Sequence, residues 1–473
     1  MTTSISTINN STINTSSINT SSINNYGEHI AKLSRDYSAA INCFNAGVEG
    51  KQASGAASIP VEAVLLHSGS EQHYFADDRG IPFQAYGHFL HWLPVNRPEQ
   101  FVYFRAGEKP TYFQIVPDDF WYDQTIEMAD HLSEQFTVVR LTSVNELGAQ
   151  LKSSALAFLG ERADLASSLG IDQALVNPRA LIAYLDFCRA TKTDYALDQL
   201  RAANKTALQG HAAARLCFLN GGNEYQIHSA YLNACAILEG ESPYTNIVAL
   251  NEKSAILHYQ YKRREASPAG QVLLIDAGCR VNGYGSDITR TSVSDDVHPV
   301  FRALLGAMEN LQQALVSQIK PQLAYQELHE SALRSIGAAL IEHGICMASN
   351  SVEALMAQNI PQLFMPHGVG HLLGIQVHDV GGHQIDFAGS ISAPPAHSPA
   401  LRNTRIMTEN MVFTVEPGLY FIPLLLEPQR NSSRGKTINW KLVDELYACG
   451  GIRIEDNVRV TREGVENLTR QFE

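Results

Sequence analysis

Three apolar segments of this sequence run directly into an acidic residue, and this feature constrains the fold more than any other. The run 273–275 precedes Asp276, residues 411–415 precede Glu416, and residues 451–454, which are apolar except for Arg453, precede Glu455. Short apolar runs of this kind are typical of buried strands. Because an unpaired carboxylate is costly to bury, acidic residues at the ends of such strands need a cationic partner. The chain therefore has to bring these carboxylates to a cation.

A hairpin pattern places a second carboxylate beside Asp276. An Asn282-Gly283 turn separates the two predicted strands, and Asp287 lies 11 residues after Asp276. Antiparallel strands joined by such a turn can bring the two carboxylates side by side. Turns and strand ends are also the commonest places for aspartate, so taken singly either residue could be a turn residue.

Three histidines, His367, His371 and His378, fall within 12 residues. The spacing HxxxH on a helix would present two rings on one face, as in zinc proteases of the HExxH type. The two intervening glycines disfavour a helix and the glutamate is absent, which excludes that mechanism. Any one of these histidines alone is typical of a structural residue. Three of them among three glycines indicate a place where backbone or ligand approaches closely.

Two aspartates, two glutamates and one histidine together form a candidate metal site. Four carboxylates carry four negative charges, which two divalent ions about 3.5–4 Å apart would balance. Oxygen-rich ligation with a single imidazole suits Mn²⁺ best, and Co²⁺ or Zn²⁺ would also fit. Taken singly, Glu416 could be a strand-end residue and Glu455 could pair with Arg453 on one strand face. We expect Asp379 and Asp456 to be solvated neighbours with no further role.

Charge and cysteine content exclude several classes of protein. Lys plus Arg is 35 and Asp plus Glu is 48, and the resulting charge of −13 argues against nucleic acid or an anionic membrane as a partner. No apolar run approaches the ~18 residues of a membrane span, and the N-terminus lacks the features of a secretory signal. Seven scattered cysteines without a CxxC pair predict reduced thiols. We therefore expect a cytoplasmic location.

The sequence predicts a tail followed by two domains. Residues 1–25 carry pentapeptide repeats and no charged side chain, which predicts a disordered tail. Residues 26–191 interleave short apolar or β-branched runs with helical stretches, which predicts a mixed α/β domain. Polar residues near 192 mark the boundary, and a long helix over 195–219 opens the second domain, residues 192–473. The expected fold class is α/β (α+β).

The ordered segments LLIDAG, GSDITRT, PHGVGHLLG, VEPG and GIRIEDN resemble those of the pita-bread metallopeptidases. Within that family the chain is similar to the bacterial-type Xaa-Pro dipeptidases (prolidases) and the closely related organophosphorus acid anhydrolases. The stretch FADDRGIPFQAYGHFLHWLPV and the later PDDFW resemble the same branch, whereas GIRIEDN is shared with aminopeptidase P. The resemblance covers nearly all of the chain after the tail and implies a C-terminal pita-bread catalytic domain.

The resemblance also implies a role for each matched residue. Asp287 and Glu455 would bridge two divalent ions, and Asp276 would bind one of them. The sphere of the other ion would be completed by His371 and Glu416, and Glu416 would also shuttle a proton for the metal-bound water. Three histidines would bind substrate and stabilise the tetrahedral intermediate, namely His258, His367 and His378.

Further matched residues would recognise a small dipeptide. Arg453 would hold its C-terminal carboxylate by a bidentate contact. The substrate pockets would be lined by Tyr244, Leu257 and Val377. The resemblance implies a homodimer in which the N-terminal domain of a neighbouring subunit reaches into the site, which makes Asp77 or Asp78 a candidate for binding the α-amino group.

The function implied is hydrolysis of Xaa-Pro dipeptides by a metal-bound hydroxide, with a side activity on organophosphorus triesters and fluorophosphates. Three other functions stay open. Organophosphorus hydrolysis or an aminopeptidase P-like activity could be the main one, and a non-catalytic peptide-binding module is the third. The complete set of five ligand residues argues against the last.

Overall fold

A long helix opens the part of the chain that the computed structural model describes, which comprises residues 20–53, 59–153, 155–265, 271–347 and 349–473. Helix α1 (Thr20–Ala53) buries Ile30, Leu33, Tyr37 and Ile41, whose spacing of three or four residues places them on one face. Because α1 begins at Thr20, residues 20–25 are helical and the assignment of this stretch to a disordered tail is wrong. A helix fixed by its apolar face can propagate backwards through polar residues. Residues 1–19 lie outside the described residues.

The N-terminal part is built on a five-stranded mixed sheet in the order β4-β3-β2-β1-β5. Strands β1–β2 and β2–β3 pair antiparallel, whereas β1–β5 and β3–β4 pair parallel. The strands are β1 (Ala63–His67), β2 (Phe101–Arg105), β3 (Thr111–Ile115), β4 (Thr137–Leu141) and β5 (Leu156–Leu159). The helices after α1 are α2 (Gly87–Trp92), α3 (Asp130–Ser133), α4 (Ala163–Ser168) and α5 (Arg179–Arg189).

The C-terminal part begins with the long helix α6 (Asp194–Leu219), which Thr193 caps by accepting a hydrogen bond from the Ala196 amide. The further helices are α7 (Glu224–Cys235), α8 (Pro299–Ser317), α9 (Tyr325–Glu342), α10 (Val352–Ala357), α11 (Pro361–Phe364), α12 (Pro423–Leu426) and α13 (Trp440–Leu446). Its strands are β6 (Ile247–Leu250), β7 (Val272–Asp276), β8 (Arg280–Val281), β9 (Tyr284–Gly285), β10 (Thr289–Val293), β11 (Val412–Val415), β12 (Gly418–Tyr420), β13 (Gly451–Arg453), β14 (Asp456–Val460) and β15 (Val465–Asn467).

Small antiparallel sheets in the C-terminal part meet at one place. Strands β10-β7-β6 form one sheet, β11-β14-β15 a second and β12-β13 a third. A bridge between Thr289 and Glu455 joins the first sheet to the segment between β13 and β14, and a bridge between Leu372 and Phe413 ties a loop to β11. The ends of β7, β11 and β13 therefore lie close together. Asp276 is the last residue of β7, Glu416 follows β11, and Arg453 is the last residue of β13.

The structure also describes the hydropathy of the helices and the state of the cysteines. None of the helices in the described part of the chain is long and apolar enough to cross a membrane. All seven cysteines lie within the described residues and are free thiols, four of them buried: Cys235, Cys279, Cys346 and Cys449.

Candidate active site

The hairpin that follows β7 brings the first two carboxylates together. Asn282 and Gly283 both have positive φ angles, of 47° and 87°, which matches the tight turn predicted for this dipeptide. Asp276 at the end of β7 pairs in register with Thr289, two residues after Asp287. A Cβ atom on Gly278 would lie 2.0 Å from the Ser286 carbonyl oxygen, so the close approach of the two arms requires glycine.

Strand β11 and the loop beside it supply the next two donors. Glu416 directly follows β11. His371 is fixed to the same strand, because its amide donates to Thr414 Oγ1 at 3.1 Å and its carbonyl accepts from the Thr414 amide at 2.9 Å. Gly370, at φ 151°, allows the close contact that precedes His371, since a Cβ atom there would lie 2.2 Å from the Thr414 carbonyl oxygen.

All five side chains expected to bind metal line one cavity of about 260 Å³. Donor atoms of Asp287, His371 and Glu455 lie within 4.8 Å of one another. The Nε2 atom of His371 is 3.3 Å from Asp287 Oδ2 and 3.7 Å from Glu416 Oε1. Asp276 completes the set on the opposite strand of the hairpin.

The electrostatics of the cluster favour a bound cation. Burial, together with neighbouring carboxylates, raises the pKa of Asp276 to about 6, that of Glu416 to about 7 and that of Glu455 well above its usual value. Burial also opposes ionisation of Asp287, but the hydrogen bond to His371, the charges of His371 and His378 and a hydrogen bond from Tyr244 together outweigh burial and lower the pKa of Asp287. Such clustered carboxylates are stabilised by positive charge.

Two carboxylate oxygens without hydrogen-bond partners in the described part of the chain show whether the residues of the cluster suit a bound metal ion. Asp276 Oδ1 and Glu455 Oε1 are buried without a hydrogen-bond partner among the described residues. Buried carboxylate oxygens are costly to leave unpaired, and hard or borderline divalent cations are bound by this kind of oxygen. The donor set therefore fits divalent metal ions.

A network of hydrogen bonds around the cavity orients the acidic groups. Thr289 Oγ1 donates to Glu455 Oε2 at 2.6 Å and accepts from Arg453 Nε at 3.1 Å. Arg453 also donates to Asp276 Oδ2 at 2.6 Å and to Tyr420 Oη at 2.9 Å. The side chain of Asn457 binds both the amide and the carbonyl of Asp287.

The sequence did not predict a role for several residues whose hydrogen bonds orient the acidic groups. Thr289, Tyr420 and Asn457 lie within or beside quoted motifs, and the two-residue period that relates Thr289 to Asp287 was the available signal. Arg402, which also lines the cavity, carried no such signal.

The histidines expected to bind substrate also line the cavity, as does Leu257. His367 hydrogen-bonds Tyr420 Oη through Nε2 at 2.9 Å, and burial lowers the pKa of His367 to about 3. The His378 ring packs edge-on against His371 with centroids 4.3 Å apart. His258 is more exposed than His367.

The remaining predicted substrate residues lie at varying distances from the acidic cluster. Tyr244 lies beside the cluster, so burial and the charges of Asp276 and Asp287 raise the pKa of its hydroxyl well above the usual value. Val377 packs against Gly285 near the hairpin. Asp77 is exposed on the loop between β1 and α2 and is not among the residues that line the cavity of its own chain.

Two acidic residues differ from the sequence expectation. Asp379 is buried and ion-paired with Arg189 and Lys192, and Asp456 is buried and ion-paired with Arg290 and Arg470. The expectation that both are solvated is wrong, because their basic partners are brought in by tertiary structure. Asp456 directly follows Glu455 and anchors that end of the site.

Comparison with known proteins places the chain among metal-dependent hydrolases. A family model described as "Metallopeptidase family M24" matches residues 198–462, and one described as "Xaa-Pro dipeptidase, N-terminal domain" matches residues 46–187. The Xaa-Pro dipeptidase of Pseudoalteromonas atlantica is 40% identical over 419 residues, which cover 87% of this chain and 93% of that protein. That of Shewanella pealeana is 39% identical over 451 residues, covering 94% and 98%.

Solved structures agree on the fold. Zinc-substituted E. coli aminopeptidase P in complex with product aligns with a TM-score of 0.70 at 22% identity, covering 94% of this chain and 96% of that chain. Proline aminopeptidase P II from Yersinia pestis aligns with a TM-score of 0.68 at 22% identity, covering 93% of this chain and 97% of that chain.

The fold and the acidic cavity define a metal-dependent hydrolase with an N-terminal α/β domain and a C-terminal pita-bread domain. The chain belongs to metallopeptidase family M24. The family resemblance and the fold class predicted from the motifs are therefore confirmed.

Proposed function

We propose that this enzyme hydrolyses Xaa-Pro dipeptides with the help of two divalent metal ions. The observation that supports this most is that five donor side chains and Arg453 line the same small cavity. The chain is also about 40% identical over most of its length to relatives named Xaa-Pro dipeptidase. A small cavity with a guanidinium in its wall suits a short substrate that carries a free carboxylate.

The ions would be held by Asp276, Asp287, His371, Glu416 and Glu455. When bound, the ions would act as Lewis acids that polarise the scissile carbonyl and activate the attacking water. We propose Mn²⁺ as the metal because the set is rich in oxygen, while Co²⁺ or Zn²⁺ would also fit. Metal content of the protein as isolated, measured by mass spectrometry, tests this assignment.

The chain's own residues would then bind and orient the dipeptide. Glu416, whose pKa is raised to about 7 by burial, is suited to accept a proton at a carboxylate oxygen and pass it to the leaving nitrogen of proline. His367 is kept neutral by burial, its Nδ1–H donates to the Gly368 carbonyl at 2.7 Å and its Nε2 accepts from Tyr420 Oη, so it would contact the substrate as a fixed neutral ring beside Tyr420. His258 and His378 would bind substrate from the exposed side of the cavity, beside pockets lined by Tyr244, Leu257 and Val377.

The assay that tests the dipeptidase function compares Leu-Pro with Leu-Pro-Gly in the presence of Mn²⁺. Faster hydrolysis of Leu-Pro is expected, because Arg453 would bind a carboxylate that the tripeptide holds one residue further away. Faster hydrolysis of the tripeptide would replace this proposal by an aminopeptidase P-like activity.

A side activity on organophosphorus triesters and fluorophosphates is a second proposal, since a neutral phosphoryl oxygen can be polarised by the same ions. Because Arg453 also donates to Asp276, the variant is compared at saturating Mn²⁺, where Arg453→Ala should weaken hydrolysis of Leu-Pro far more than that of a neutral phosphotriester. Equal losses on the two substrates would contradict the carboxylate role of Arg453. Activity on the phosphotriester with none on any Xaa-Pro dipeptide would make organophosphorus hydrolysis the main function.

We further propose a cytoplasmic homodimer in which Asp77 of one subunit reaches the site of the other. The side chain of Phe75, two residues before Asp77, is fully exposed, at 102% of its reference surface, which supports a contact with another chain. Sedimentation of the wild type and of Asp77→Ala, with KM for Leu-Pro, tests the dimer and the role of Asp77 separately.

The two family matches leave residues 188–197 between them, which supports a domain boundary near 192.

A further inference from the structure

Asp379 directly follows His378 and is held by two cations from another part of the chain. Its side chain is only 1% exposed. Arg189, the last residue of α5, donates to one carboxylate oxygen, and Lys192 donates to the other at 3.0 Å. Residues 189 and 192 lie between the regions matched by the two family models. The ion cluster therefore links the junction of the two domains to the histidine-bearing loop.

The carboxylate of Asp379 packs inside the loop formed by residues 372–379. The Asp379 amide donates to the Leu372 carbonyl at 2.9 Å and closes this loop. A Cβ atom on Gly374 would lie 2.2 Å from Asp379 Oδ2, so the carboxylate occupies the space that a side chain there would fill. The Gly374 carbonyl in turn accepts from the Gly285 amide at 2.9 Å, which ties the loop to the hairpin that carries Asp287.

Side chains of the loop 372–379 lie on two opposite sides of its backbone. Leu373 and Ile375 are buried in the hydrophobic core of the N-terminal part, with Leu181 and Leu185 of α5. His378 faces the opposite way, into the active-site cavity. The structure gives its ring no hydrogen bond to another described residue, so its position depends on the backbone of the loop and on its packing against His371.

We propose that Asp379, clamped by Arg189 and Lys192, is a positioning residue that holds the loop 372–379 so that His378 meets the substrate. The inference rests on the proposed function, since the group being positioned is a substrate-binding histidine. Loss of the carboxylate would leave two buried cations without their partner and release the closed loop. A displacement of catalytic groups by about 1 Å is enough to reduce turnover by about a hundredfold.

The test compares Asp379→Asn with the matched control Glu466→Gln. Glu466 is also a single carboxylate between two cations, Arg201 and Arg459, but it does not line the cavity. At saturating Mn²⁺, and normalised to bound metal, Asp379→Asn should lower kcat/KM for Leu-Pro by about tenfold or more, whereas Glu466→Gln should leave it within about twofold. Metal stoichiometry should be unchanged in both variants.

A double-mutant cycle distinguishes positioning from general destabilisation. If Asp379 acts through His378, Asp379→Asn should have an effect of less than about twofold on kcat/KM in a His378→Ala background. An equal loss in both backgrounds would overturn the proposal, and so would a kcat/KM within about twofold of wild type for Asp379→Asn alone. Should Asp379→Asn fail to fold, Lys192→Met keeps the Arg189 ion pair and is expected to give the same background dependence with a smaller loss.

Hydrogen exchange separates failure of this proposal from failure of the proposed function. Amide exchange of the peptide that spans residues 372–379 should be faster in Asp379→Asn, or in Lys192→Met, than in Glu466→Gln. If wild type does not hydrolyse Leu-Pro at all, the proposed function fails, and the exchange measurement still decides whether Asp379 holds the loop. Unchanged exchange in that peptide would overturn the positioning role whatever the substrate.

Discussion

Replacing Thr289 by valine tests how the acidic cluster is held in place. The Thr289 hydroxyl donates to Glu455 Oε2 at 2.6 Å and accepts from Arg453 Nε at 3.1 Å, so one oxygen atom connects a carboxylate and a guanidinium. Valine keeps the shape of threonine and removes only this oxygen. Glu455 Oε1 already has no hydrogen-bond partner, so the substitution would leave both oxygens of this carboxylate without one among the described residues.

The expected size of the effect follows from these contacts. Each lost hydrogen bond to a charged group costs about 1.5–3 kcal/mol. Removing a group that orients a metal ligand typically lowers metal affinity about 10- to 100-fold. That range corresponds to about 1.4–2.7 kcal/mol of binding free energy, comparable with the loss of one charged hydrogen bond.

Thr291→Val is the matched control on the same strand. The Thr291 hydroxyl binds only the backbone of Arg453, donating to its carbonyl at 3.0 Å and accepting from its amide at 3.1 Å. Two neutral hydrogen bonds are lost, which should reduce the free energy of unfolding by about 1–3 kcal/mol and leave the metal affinity near that of wild type.

The assay is competition for Mn²⁺ against a chelating indicator, with urea unfolding of the metal-free proteins as the stability measurement. Thr289→Val should bind Mn²⁺ about 10- to 100-fold more weakly than Thr291→Val. Wild-type affinity in Thr289→Val, or an equal loss of affinity in both variants, would refute the role of the hydroxyl in orienting Glu455.

Three further predictions concern charge and protonation. Asp287→Asn removes a carboxylate that contacts His371, and it should abolish peptidase activity and reduce the number of bound Mn²⁺ ions, measured by mass spectrometry on dialysed protein. Removing metal with a chelator should lower Tm, and Mn²⁺ at 100 times its Kd should restore about 2.7 kcal/mol of stability for each bound ion, as read by calorimetry. Burial lowers the pKa of His29 to about 4, below its unfolded value of 6.5, so the stability due to neutral His29 is complete above pH 6.5 and is lost as pH falls toward 4. In urea unfolding, the loss of free energy of unfolding between pH 6.5 and 4 should be about 3 kcal/mol smaller in His29→Gln than in wild type.

Local patterns predicted much of the fold and of the candidate site. The apolar runs before Asp276 and Glu416 are strands β7 and β11, and the Asn282-Gly283 turn forms as expected. These features depend on neighbouring residues, so periodicity and turn chemistry are sufficient to find them. The predicted disordered tail extended too far, through residues 20–25 of α1, because a five-residue repeat gives no local sign that a helix continues through it.

Features that depend on distant partners could not be predicted in this way. Asp379 and Asp456 resemble solvated residues in the sequence, yet each is buried against two basic side chains. The partners of Asp379 precede it by 190 and 187 residues. No spacing rule relates residues that far apart, because their contact exists only after the two domains have packed.

The sequence by itself determined the chemistry of this protein. It contains acidic residues at the ends of buried strands and histidines among glycines, in an order that identifies the metallopeptidase class, because ligand type and local spacing are properties of the chain. Only the tertiary structure decided how those groups are held. The hydroxyl of Thr289, the amide of Asn457 and the ion cluster around Asp379 bind the donors and the histidine loop from other elements. The physical reason is that hydrogen bonds and buried ion pairs require distances near 3 Å, which folding creates between residues that the sequence keeps apart.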